Sequence, residues 1–70
     1  MKLDEYQAQM SYTMACDVLD NSVEITNFAC RDEPYIIINA KSAILGRNKI
    51  KYLIEVLNNK LKDMDNIETE

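Results

Sequence analysis

Histidine is absent from this 70-residue chain, and glycine and proline occur once each. Without imidazole, a zinc site lacks its usual nitrogen ligand and a cysteine nucleophile lacks its usual base. The scarcity of glycine and proline points to an ordered chain rather than a linker. The two cysteines, Cys16 and Cys30, stand 14 positions apart and match no zinc or redox spacing, so they read as reduced thiols of a cytoplasmic protein, with core packing as their role. No apolar run approaches the roughly 20 residues needed to span a bilayer, and Met1-Lys2-Leu3-Asp4-Glu5 contains no apolar signal core. A membrane role is therefore not expected, nor is a metal, a cofactor or an enzymatic activity.

What is present is acidic and small. Twelve Asp and Glu against eight Lys and Arg give a net charge of -4, which opposes direct nucleic-acid binding. A chain of this size buries only about 60% of the surface it exposes when unfolded. Small domains compensate with disulfides, a metal or self-association, and only the last fits this composition. A homo-oligomer is the expected state.

Apolar residues recur at helical spacing from Leu3 through Tyr6, Met10 and Met14, and Asp4 followed by Gln7 has the form of a capping box. These features predict a first helix over Asp4 to Leu19. Val23 to Phe28 alternates with period two and reads as a strand with one wet face. A charged loop, Arg31-Asp32-Glu33-Pro34, leads to a second strand, Tyr35 to Ala40, apolar on both faces and so expected to be buried on both. Ser42 is a good N-cap for a long helix reaching Met64, with a weak point at Gly46; a rival reading stops at Gly46 and restarts at Asn48. The expected fold is α+β, a two-layer helix, β-hairpin, helix (αββα) completed by dimerisation. It forms one domain over residues 1–64, with an acidic, fraying tail over 65–70.

Half of the basic residues, Lys41, Arg47, Lys49 and Lys51, fall between Glu33 and Glu55, where no acid intervenes. Basic side chains at a helix start reinforce its free N–H groups, so Lys41, Ser42, Arg47 and Lys49 form a candidate anion site suited to a nucleotide. The alternative is that they only solvate the helix. Asn39-Ala40-Lys41-Ser42-Ala43-Ile44-Leu45-Gly46 resembles the strand-to-helix junction of the HPr phosphocarrier family. That resemblance maps the family's regulatory serine onto Ser42. It departs from the family in spacing, in lacking room for two strands, and in having no histidine to carry a phosphoryl group. Leu3-Asp4-Glu5-Tyr6-Gln7 is similar to the start of all-helical nucleotide pyrophosphohydrolases, but their clustered metal-binding carboxylates have no counterpart here.

The reading favoured by size, acidity and surplus apolar residues is a non-enzymatic accessory protein that binds and modulates or inhibits another protein, of the kind carried by bacterial viruses or mobile elements. Tyr6, Tyr12, Ile36 and Ile38 are the expected contact residues, divided between self-association and the partner. Two alternatives are an oligomeric binder of an anionic small molecule at the basic helix start, and an acidic nucleic-acid mimic using Asp32, Glu33, Asp63, Asp65, Glu68 and Glu70.

Overall fold

A computed structural model describes residues 1–17 and 21–67. The order is α1 (Leu3–Gln7), β1 (Tyr12–Ala15), β2 (Ser22–Cys30), β3 (Glu33–Ala40) and α2 (Arg47–Asp65). The three strands form one antiparallel sheet in the order β1-β2-β3. The α+β arrangement with a hairpin between two helices is as expected; a third strand is added. Among the described residues, no helix is long and apolar enough to cross a membrane.

The added strand takes the second half of the expected first helix. That helix is only five residues, capped by Lys2 rather than Asp4, with the Glu5 carboxylate accepting from the Lys2 N–H at 3.5 Å. Its expected end, at residues 18–20, lies outside the described residues. Tyr12, Met14 and Cys16 alternate with Thr13, Ala15 and Asp17, and Tyr12 and Met14 pair with Ile25 and Val23 of β2. A period-two match to a neighbouring strand satisfies both backbone and side chains, which a short, weakly capped helix cannot do.

The β2–β3 hairpin turns on Arg31 and Asp32, both left-handed with φ of 55° and 63°, so Glu33 and Pro34 belong to the strand rather than to a loop. This is a type I′ geometry, whose twist suits a two-residue hairpin. The register aligns Ile25 with Ile38 and Asn27 with Ile36, placing Tyr12, Met14, Val23, Ile25, Asn27, Ile36 and Ile38 on one face. Met14, Val23 and Ile25 are the buried centre, and Leu53, Val56 and Leu57 of α2 pack on them.

Beside this cluster α1 covers the same face. Tyr6 is fully buried and donates from its hydroxyl to the Tyr35 carbonyl at 2.7 Å. The Nδ2 of buried Asn27 donates to the Tyr6 carbonyl at 2.9 Å and to Gln9 Oε1 at 2.7 Å, leaving Oδ1 with no donor among the described residues. The Met1 ammonium donates to the Asn66 carbonyl, which joins the chain start to the negative end of α2.

The second helix starts at Arg47, neither at Ser42 nor after an Asn48 cap; as in the rival reading the chain breaks near Gly46, but Gly46 is the N-cap of α2 and not the end of an earlier turn. Residues 41–46 are outside any helix or strand and are held by other partners. Asp17 N–H donates to the Ile44 carbonyl at 3.0 Å, Asn21 Nδ2 donates to the Ser42 carbonyl at 3.3 Å, and Leu45 packs on the core. Ser42 therefore does not cap α2; Gly46 is its N-cap residue. The helix runs past Met64 to Asp65, and residues 68–70 of the expected acidic tail lie outside the described residues.

The molecule is elongated, 44 × 19 × 16 Å, with a radius of gyration of 13.3 Å. A compact domain of this length would have about 11 Å. The extra length leaves much apolar surface uncovered. Contrary to the expected burial of both faces of β3, Tyr35, Ile37 and Ile38 are exposed.

Candidate interaction surfaces

Two shallow clefts lie between β1 and α2, of about 390 and 520 Å³, and both are lined by Tyr12 and Tyr52. Their positions follow from the elements beneath. Tyr12 opens β1 on the helix-bearing face, and Tyr52 lies on the flank of α2 nearest β1. Their rings meet with centroids 5.9 Å apart at 37°, within the range of favourable aromatic contact. Burial, followed by the Tyr52 hydroxyl and the Glu55 carboxylate, pushes the Tyr12 phenol above the ordinary tyrosine value. Met10 stands at the rim of the smaller cleft, 90% exposed, with Glu55, Lys60 and Asp63 on the opposite wall. Aromatic and methionine side chains held half-bare beside mixed charge give large contact area at small entropic cost.

A second apolar region lies across the molecule. At 100° per residue, Ile50, Ile54 and Leu61 fall roughly 160–180° round α2 from Tyr52, on the flank away from the clefts. All three are exposed, as is Ile38 on the same side of the sheet. On the reverse face Phe28, Tyr35 and Ile37 are also exposed, and register sets Phe28 opposite Tyr35.

The residues expected to make contacts separate accordingly. Tyr12 lies in the β1–α2 clefts, while Ile38 and half-buried Ile36 lie on β3. Tyr6 has no exposed surface and serves packing, so it is corrected from contact to core residue. Cys30 is also corrected, being exposed near the hairpin turn, whereas half-buried Cys16 packs on the core; both are free thiols. Tyr52 and Met10 were not identified from the sequence. The available signal for Tyr52 is an aromatic off the apolar stripe of a helix.

The four basic-site candidates are divided. Lys41 and Ser42 follow β3 and are exposed, Arg47 opens α2, and Lys49 lines the larger cleft. The carboxylate of Asp17 accepts from the Gly46 N–H, so the chain's own anion occupies the start of α2. No family model matches the chain, and no curated protein or solved structure matches it significantly.

Proposed function

We propose that this is a non-enzymatic accessory protein of the cytoplasm that works as an assembly and binds a segment of another protein in the Tyr12–Tyr52 groove, thereby modulating or inhibiting that protein. The observation that carries the reading is the half-exposed Tyr12–Tyr52 pair shared by two adjoining clefts, with Met10 bare beside it. Clustered aromatic anchors are where binding energy concentrates at protein interfaces. Mixed charge around the groove suits a peptide segment better than a polyanion.

The anionic-ligand reading has less support, because Asp17 already supplies the negative charge at the start of α2 and would compete with a nucleotide. The acidic-mimic reading relies partly on Glu68 and Glu70, which lie outside the described residues.

Affinity capture from host lysate with the wild-type chain and with Tyr52→Ala tests the proposal. A protein retained by wild type and lost with the variant supports it. Equal retention by both, or none by either, overturns it. A thermal screen against nucleotides runs alongside, since a ligand at a hundred times its dissociation constant adds about 2.7 kcal/mol of stability.

A further inference from the structure

We propose that two copies of this chain pair antiparallel through their β3 edges, with the two-fold axis passing at Ile37, to give a six-stranded sheet. This rests on the reading above that the protein works as an assembly, and it names the surface and the register.

The edge itself is the first argument. β3 has a neighbour only on its β2 side, and from Tyr35 to Ala40 it carries no charge. Edge strands left alone are normally guarded by charge, bulges or covering loops, and the uncharged stretch here has none of these among the described residues. Cys30 and Glu33 flank a two-residue turn and so exchange hydrogen bonds, and the alternation of an antiparallel ladder then turns the polar backbone groups of Pro34, Ile36, Ile38 and Ala40 outward. Pro34, with no N–H to offer, also sits at an outward position, so in the pair it accepts through its carbonyl only and supplies no ladder donor.

Area is the second argument. The accessible surface is 5339 Å², against about 4,500 Å² for a compact monomer of this mass. The surplus, roughly 800 Å² over the whole molecule, includes the exposed Ile37 and Ile38 of β3. A two-fold axis perpendicular to the sheet keeps all helices on one side and brings the exposed Ile38 of each copy to the seam on that side.

Register is the third. Outward groups meet only when even-numbered residues oppose one another. Centring on Ile37 sets Ile36 against Ile38, Pro34 against Ala40, Tyr35 against Asn39, and Glu33 against Lys41 of the second copy. Glu33 and Lys41 are the only charged residues from 33 to 41, and they meet as opposite charges at both ends of the seam. Shifting the centre to Ile36 instead sets Lys41 against Arg31, two cations; shifting it to Ile38 leaves Glu33 and Lys41 without opposite charges. Complementary charges at the ends of a pairing select register because like charges directly opposite are unfavourable.

Sedimentation equilibrium on the whole chain tests this. Glu33→Lys and Lys41→Glu should each weaken dimerisation roughly tenfold or more, since two attractive pairs become repulsive. An equimolar mixture of the two variants should recover wild-type affinity, because positive then meets negative at both ends. That recovery also separates lost pairing from misfolding. With Cys16→Ser and Cys30→Ser in place, Ile37→Cys should crosslink under a mild oxidant while Ile36→Cys and Ile38→Cys should not. A dimer indifferent to both reversals, or one crosslinking through Ile36→Cys or Ile38→Cys, overturns the register but not assembly. A monomer at every concentration overturns both.

Discussion

The carboxylate of Asp17 accepts a hydrogen bond from the backbone N–H of Gly46, 29 residues further along the chain. This bond ties the segment after β1 to the residue that precedes α2, and it leaves little room for a side chain at its target. A Cβ on Gly46 would stand 3.1 Å from Asp17 Oδ2.

Asp17→Ala should therefore cost about 1 kcal/mol, the usual loss for a removed cap. Gly46→Ala should also destabilise, by crowding the same carboxylate. Combined with Asp17→Ala, however, Gly46→Ala should become neutral or mildly favourable, since the atom it crowds is gone. Urea unfolding of the four proteins measures the coupling; strict additivity would mean that the contact does not hold the helix start.

Tyr6 joins α1 to β3 through its hydroxyl bond to the Tyr35 carbonyl. Tyr6→Phe should cost about 1 kcal/mol, as a typical hydrogen bond is lost while the ring still fills its site. Burial, and secondarily the Asp63 carboxylate, raise the Tyr6 phenol above its ordinary value of 10.0. The folded state then holds this proton more tightly than the unfolded chain. The resulting stability is fully present below pH about 10 and is lost as pH climbs through the folded value. Tyr12 and Tyr35 are raised too, the latter chiefly by its hydrogen bond to Glu33, and act in the same direction. Tyr6→Phe should flatten the alkaline limb of the stability curve, which chemical denaturation at stepped pH would reveal.

Legibility in the sequence followed the locality of the interactions. Val23 to Phe28 and Tyr35 to Ala40 were readable because period-two alternation and β-branched side chains express strand preference directly. The body of α2 was readable from its stripe through Leu53 and Leu57. Tyr12 to Ala15 was not, because one stretch satisfies both periods and the deciding partner, Ser22 to Ile25, comes later in the chain. Ser42 was a plausible cap by type, but Asn21, Asp17 and the core claim residues 41–46 first. The same holds for contacts: Tyr12 and Ile38 carry exposed surface, whereas Tyr6 was drawn inward by Asn27 and the Tyr35 carbonyl, neither visible in local spacing. The Tyr12–Tyr52 groove depends on β1 existing, and so could not be seen until the strand was.

Asn27 offers a test by charge. Its Nδ2 donates to two acceptors, the Tyr6 carbonyl and Gln9 Oε1, from a position only 3% exposed. Asn27→Asp exchanges the donor for an anion facing both acceptors, and should cost about 3 kcal/mol or more at neutral pH. The introduced carboxyl should titrate above the ordinary range, since burial beside acceptors penalises its charged form. Part of the loss should thus return as pH falls and the group protonates. Equal damage at pH 4 and pH 7 would show that loss of the amide donor, rather than the introduced charge, accounts for the cost.

The hairpin turn places two residues with side chains in left-handed backbone geometry, Arg31 at φ 55° and Asp32 at φ 63°. That conformation costs an ordinary L-residue about 1–2 kcal/mol, less for aspartate, whose short side chain can bond locally. Asn–Gly is the pair favoured by a type I′ turn. Replacing both residues, Arg31→Asn with Asp32→Gly, should remove most of the strain, offset in part by glycine's greater freedom in the unfolded chain, for a net gain of about 1 kcal/mol. Arg31 and Asp32 are both exposed, so no packing is sacrificed. The gain should appear as a higher urea midpoint with an unchanged slope. Pro34 and Glu33 then keep their places in β3, and dimerisation through that edge should persist in the variant. A fall in the midpoint would mean that the Arg31 and Asp32 side chains stabilise the turn by more than its backbone costs them.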